Sequence, residues 1–340
     1  MTKFTINDFK TNEREQKAMS SLFCNSLSYL LYKISVQEAT PEKAGKGFQS
    51  FLEISSNPTT EQECSNVVYL DILDEYADNK DTILNTLALL QERLEIGTSV
   101  THLGVVGDGK TYDHLHTLKV EYGEELNWLI PLPGDWHILK NYQEVIMKVY
   151  FDGGLQEAAK QAGYSNGVLN SIGRCGKFKR THEFILKVWE SIMRIFLSDF
   201  VSKNANGKTV AEHIKSTLKT HSNNENIKLM IHLCEDEGTL SNDFHKYLSD
   251  LSAQDDTCKL WGKFVLEDCL PYIGLYFTMR SGNWNLRMYC IKQMAPLFSA
   301  YDRTTYQRLI PQHIAELLRA PPELLHCLQN GGFVVSLSGN

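Results

Sequence analysis

The sequence predicts a helix-dominated protein in which a small α/β core precedes a large all-helical region. Three observations carry that expectation. Strand-like apolar runs alternate with helical periodicity only in the first half of the chain. From about residue 177 onward, nearly every segment repeats its apolar residues at three- and four-residue spacings. Of the 340 residues, 42% are apolar, enough to fill one large core or two medium ones. The expected division is an N-terminal helical segment over 1–60, an α/β core over 61–165, a helical region over 166–328, and the start of a truncated C-terminal strand over 329–340.

Met19, Leu22, Phe23, Leu27, Leu30 and Leu31 share one helical face, which predicts a helix over 12–35. The stretch 37–47, with Pro41, Gly45 and Gly47, stops it. Val67 to Leu73 is β-rich and almost continuously apolar, as expected for a strand covered on both faces. A helix over 81–94 and a strand over 100–106 follow, giving a strand–helix–strand unit long enough for a parallel crossover. Lys110 to Tyr122 reads as a helix, Trp128 to Leu132 as a short strand, and Asp135 to Phe151 as a helix. Helices are then expected over 178–201, 209–218, 227–233, 242–251, 259–279, 284–298 and 306–318, and Phe333-Val334-Val335 as a last strand.

Charge and composition exclude several functions. The net charge of −7 is opposite in sign to that of most phosphate-backbone binders, so a nucleic-acid role needs a local patch or segments outside this chain. Arg174, Lys177, Lys179 and Arg180 form the basic island, for which a solvated charged loop is the default reading. Every apolar run is broken by charge well short of the roughly 20 residues a membrane span needs, and the N-terminus lacks a secretory pattern. An intracellular protein is expected, nuclear if it acts on DNA. Its eight cysteines are scattered without a CxxC pair, which argues against a zinc ribbon and suits buried thiols.

Chemistry concentrates in Gly107-Asp108-Gly109-Lys110-Thr111, at the end of the Val105-Val106 strand. Asp108 has three readings. It is a strand-end carboxylate, placed where open α/β sheets put their ligands and able, with other acids, to hold Mg²⁺. Or it belongs to a P-loop nucleotide binder, since Gly104 to Thr111 satisfies GxxxxGK[ST]; against this, Val105 and Val106 look like strand, and an acid in the loop repels phosphate. Or it caps the following helix. Asp71 ends the other strand and is either a second carboxylate beside Asp108 or a strand-end acid facing water. In Pro133-Gly134-Asp135-Trp136-His137, Asp135 reads as an N-cap and Trp136 as a core anchor, while His137 is a metal ligand or a satisfied core histidine. His114 and His116, two apart on a helix, point in different directions and make no metal pair.

These blocks resemble a transposon-associated domain family of unknown function that is found in many copies in invertebrate genomes. The resemblance rests on Gly47-Phe48 with Phe51, Val68 to Asp74, Val105 to Thr111, Pro133 to His137, Gly282-Asn283-Trp284, Phe298 to Arg303 with Tyr306, and Gln329 to Val335. The family layout is similar to transposases with a ribonuclease-H-like core, a mixed sheet and an inserted helical region. It implies a DDE-type nuclease or transposase that transfers or hydrolyses phosphodiesters with Mg²⁺, drawing acids from an early strand, the fourth strand and a late helix. Asp108 matches the fourth-strand position, with Asp71 a second candidate and His137 a third metal-ligand candidate. Relatives carry sequence before the first block and an acidic helix after the last, so this chain is expected to be an incomplete, inactive copy. Its DNA contacts would come from segments outside it. The competing expectation is a domesticated fragment that binds a protein partner.

Overall fold

The structure, a computed structural model, describes residues 5–39, 65–70, 73–76, 79–217 and 239–335. Asp71, the expected helix over 227–233 and the Gly47-Phe48 block lie outside the described residues.

Helix α1, Glu13–Ala39, starts at a reciprocal cap: the Asn12 side chain accepts from the Glu15 N–H at 2.9 Å, and the Glu15 carboxylate accepts from the Asn12 N–H at 3.0 Å. Helix α2 is Lys80–Arg93, capped by Asn79. Then come β1, Leu103–Gly107; α3, Gly109–Tyr122; β2, Leu129–Pro133; and α4, Asp135–Tyr150. A π-helical turn at Phe151–Leu155 leads to α5, Gln156–Gln161; α6, Asn166–Gly173; α7, Phe178–Lys203; and α8, Ala205–Thr217. After the undescribed stretch come α9, Thr239–Gln254; α10, Asp256–Lys263; α11, Cys269–Ser281; α12, Trp284–Ala300; α13, Thr304–Leu317; and α14, Pro322–Cys327.

The chain is helix-dominated, as composition and periodicity predict. The sheet is small: among the described residues it has two strands, β1 and β2, paired in parallel from Leu103 opposite Leu129 to Gly107 opposite Pro133. β2 is buried along its whole length and divides two cores, because side chains alternate across a strand. Leu129 joins Ile83, Leu87, Leu115 and Leu118 of α2 and α3. Ile130 and Leu132 face a much larger cluster drawn from α1, α4, α7, α9 and α11 to α13. That cluster binds the strand-bearing segment to the helical region through α4, which buries Ile138, Leu139, Tyr142, Val145, Ile146 and Tyr150. At about 1.5–3 kcal/mol for each fully buried apolar side chain, this face is a major source of stability.

Three expectations change. The parallel strand–helix–strand unit is β1–α3–β2, two elements later than the unit expected to begin at Val67. Residues 65–70 form no strand, because Val68 and Tyr69 have no apolar cover and are 69% and 93% exposed. The C-terminal strand expected over 329–340 is not formed by the described residues either. Leu328–Gly332 is a π-helical turn with Gly331 at φ 89°, and Phe333 instead sets its ring 5.5 Å from that of Trp284. Within the expected helix over 259–279, a second π-helical turn, Phe264–Asp268, separates α10 from α11. It carries Asp268 into the interior, where Lys263 pairs with it at 2.7 Å and the Tyr150 hydroxyl donates to it at 2.5 Å.

Candidate functional site

One residue, Asp108, separates the last residue of β1 from the first of α3. Its backbone stays extended (φ −67°, ψ −179°) and its carboxylate accepts from the Thr111 N–H at 2.8 Å, satisfying a donor that a helix start leaves unpaired. This bond, first of all, holds the Asp108 carboxyl below its usual range; the Thr111 hydroxyl, His137 and the Lys110 N–H add to it, and partial burial opposes it. The side chain remains exposed at the C-terminal edge of the sheet.

The same geometry removes the P-loop. Gly104 lies inside β1, and a single-residue connection leaves no loop to wrap a phosphate. Gly107 and Gly109 serve packing. A Cβ on Gly107 would lie 2.8 Å from the Thr111 side chain, and one on Gly109 would lie 3.2 Å from Thr305 on α13.

The second block docks onto the first: the Gly134 N–H donates to the Gly107 carbonyl at 2.8 Å, so α3 and α4 both start at this edge. Asp135 is the first residue of α4, with Gly134 at the cap position, and its carboxylate has a different task from the expected capping. Arg287 of α12 grips it with two bonds, Nε to Oδ2 at 2.8 Å and Nη2 to Oδ1 at 2.7 Å. The Arg287 guanidinium also lies over the rings of Trp284 and Phe333, at 5.1 and 5.4 Å. Trp136 is not a core anchor: it is 41% exposed, beside Phe178 and under Lys140. His137 is half-buried, with its ring edge-on to Trp136 at 4.8 Å, and it is one of the groups that hold the Asp108 carboxyl down.

Tyr306 of α13 closes the inner side. It is buried, and its phenol is pushed up to about 12 by burial first and by the Asp108 charge second, with a hydrogen bond to Asn141 pulling the other way. Asn141 in turn donates to the His137 carbonyl at 3.0 Å.

The structure thus brings Asp108, His137 and Tyr306 to one edge, while Asp71 lies outside the described residues. Among the described residues, no group of three or more His, Cys, Asp or Glu side chains is placed to hold a metal ion. His114 and His116 do not pair: His116 faces Glu316 at 3.9 Å, and the buried His114 Nε2 has no hydrogen-bond partner among the described residues. Six cysteines are described, all as free thiols. No described helix is long and apolar enough to cross a membrane.

Two residues that complete this edge escape motif reading. Arg287 lies in an otherwise apolar helix just after Gly282-Asn283-Trp284, and Asn141 gives no signal beyond closeness to His137. A charged residue on an apolar helix face is the signal that would have found Arg287.

Comparison with curated proteins and with solved structures finds no match for the chain. A family profile does match, over residues 47–336, and covers every described block of the site. The chain belongs to that family, the domain of unknown function DUF8702.

Proposed function

We propose that this chain is a transposon-derived core of the ribonuclease-H-like kind, reduced to one strand-end carboxylate, which binds rather than cuts its phosphodiester target. The carrying observation is Asp108, an exposed acid at the C-terminal edge of parallel strands, where α/β folds hold their ligands. Among the described residues no complete Mg²⁺ centre is formed. Mg²⁺ takes octahedral oxygen coordination, and Asp108 supplies one carboxylate with an oxygen already accepting the Thr111 N–H. Asp71, before α2 in the sequence, is the second candidate acid, and His137, whose charge acts on Asp108, the candidate imidazole ligand.

The test is calorimetric titration of Mn²⁺ into the wild type, Asp108→Asn and Asp108→Ala. Asparagine is as good a cap as aspartate, so Asp108→Asn removes the charge and keeps the helix start. Weak binding that vanishes in both variants supports the proposal; equal heats in all three reduce Asp108 to a cap. Mg²⁺-dependent cleavage of DNA that is lost in Asp108→Asn overturns the statement that the chain does not cut. Mg-ATP serves as the control ligand, and binding that depends on Lys110 would restore the P-loop reading.

A second reading, a helical half that docks a protein, is favoured by a cleft of about 770 Å³ on α5, α7 and α10. Tyr164, Val188, Ile192 and Trp261 line it, and Ile195 beside them is 70% exposed. Ile195→Asp tests it: self-association of the wild type that the variant lacks in sedimentation velocity supports this reading, and identical behaviour removes it.

A further inference from the structure

From Gly163 to His182 the chain carries Arg174, Lys177, Lys179 and Arg180 and no carboxylate; Glu183 follows directly. In a protein of net charge −7 this is a local reversal of sign. All four cations are exposed, and none makes an ion pair among the described residues.

Phe178, inside the island in sequence, belongs to a row of rings. Trp136 stands 5.1 Å from Phe178, Phe178 stacks on His182 at 5.7 Å with 9° between planes, and His182 meets Tyr276 at 4.1 Å. Each end of the row carries a cation over a ring: Lys140 is 5.7 Å from the Trp136 centroid, and Arg280 is 5.4 Å from that of Tyr276. The rings come from three helices, α4, α7 and α11, so the row is a product of the fold. Through Trp136 it adjoins His137, and through His137 the Asp108 edge.

An exposed ring, Trp136, backed by the half-buried Phe178 and Tyr276 and the buried His182, with cations beside it, suits an unstacked nucleic-acid strand: a base stacks on the open ring and phosphates meet the cations. A duplex keeps its bases stacked on one another and offers these rings nothing. A protein partner of acidic character would satisfy the cations and leave the 41% exposed Trp136 without a specific partner.

We infer that the row from Trp136 to Tyr276, with Lys140 and Arg280 over its ends and Lys179 and Arg180 following Phe178 on α7, is a docking track for single-stranded nucleic acid leading to the Asp108 edge. This inference rests on the reading of that edge as one that faces phosphodiesters. It names the substrate class: a single strand, held without dependence on its sequence.

The experiment is fluorescence anisotropy of a labelled thymidine oligonucleotide of about 16 nucleotides, and of the matching duplex, with full-length protein in EDTA. The strand is expected to bind more tightly than the duplex and to quench tryptophan emission. Trp136→Ala is expected to weaken binding about tenfold, with Trp136→Phe restoring most of it, because phenylalanine keeps a stacking face. Lys179→Glu with Arg180→Glu is expected to weaken binding and to lower the slope of log K against log salt by about 1.4, at roughly 0.7 for each phosphate no longer neutralised. Lys17→Glu, a single charge reversal on α1, is expected to do neither. No binding by the wild type, equal binding of strand and duplex, or indifference to both Trp136→Ala and the double reversal overturns the track. Working in EDTA separates the two proposals. Strand binding that survives Asp108→Asn supports the track whatever the Mn²⁺ titration shows, and Mn²⁺ binding without strand binding leaves the Asp108 reading standing alone.

Discussion

Arg287 and Asp135 form a bidentate pair in the interior, the guanidinium side chain 3% exposed and the carboxylate 11%, and this pair ties α12 to the first residue of α4. A third group completes the unit. Arg287 Nη1 lies 3.2 Å from His313 Nε2, and since a guanidinium only donates, that nitrogen accepts and the imidazole is neutral. Three segments far apart in sequence are thereby fixed around the edge that presents Asp108. The arrangement makes the pair a structural clamp rather than a reacting group.

Breaking the clamp on one side leaves an uncompensated charge in the interior. Arg287→Met is expected to lower stability by roughly 3–5 kcal/mol. Asp135→Leu combined with Arg287→Met is expected to recover most of that loss, because two apolar groups need no partner. Urea unfolding of the single and double variants measures both. A double variant as unstable as Arg287→Met would mean that packing against Trp284 and Phe333, not charge, is what Arg287 contributes.

Much of this was legible in the sequence, for identifiable reasons. Periodicity finds α1, α2, α4, α7 and α12 because each has an apolar face, and β2 because its five residues are all buried. Of the three readings of Asp108, the cap is visible at the helix start, because strand, single aspartate and helix follow directly in the sequence. What failed concerns environment rather than pattern. The apolar run at Val67 to Leu70 resembles a covered strand, yet the described part lacks cover. Trp136 resembles an anchor but lies at a helix start, where the ring reaches the surface. Arg287 and Tyr306 reach the site from about 150 residues or more away, and nothing in local spacing encodes such a contact.

Capping and charge at Asp108 separate cleanly by substitution. Asp108→Ala is expected to cost about 1 kcal/mol, because the Thr111 N–H loses its acceptor, whereas Asp108→Asn is expected to be nearly neutral. The carboxyl is held below its usual range, so its contribution is present above the unfolded value and fades as pH falls through the lowered one. The difference between wild type and Asp108→Ala should accordingly shrink in strong acid, and thermal unfolding followed against pH measures it. A difference constant down to the lowest pH would contradict the cap.

A methyl group at Gly107, against the start of α3, or at Gly109, against α13, requires its neighbours to shift. Gly107→Ala is expected to be the worse, at about 1–3 kcal/mol, because its Cβ would meet the Thr111 side chain at 2.8 Å and the Tyr112 nitrogen at 3.1 Å. Gly109→Ala would press Thr305 at 3.2 Å and the Tyr306 hydroxyl at 3.5 Å, contacts that side chains relieve more easily. Chemical denaturation ranks the two, and a reversed order would mean that α13 holds its position more rigidly than the start of α3.

Acid should weaken the helical region through two buried histidines. The Tyr272 hydroxyl accepts from Gln143 Nε2 at 2.7 Å and forms a hydrogen bond with His182 Nδ1, also at 2.7 Å. Burial, and then the Arg280 charge, push the His182 pKa down to about 4, and burial with Arg287 pushes that of His313 in the same direction. A histidine whose folded pKa lies below its unfolded value stabilises fully above the unfolded value, near 6.5, and loses that contribution as pH falls. For His182 the window therefore runs from about 6.5 down to about 4, and the loss across it is on the order of 3 kcal/mol. His182→Phe keeps a ring against Phe178 and Tyr276 and removes the titration, so its stability should fall less over this window than that of the wild type. Equal slopes for the two proteins between pH 7 and pH 4 would show that His182 is protonated in the folded state without cost.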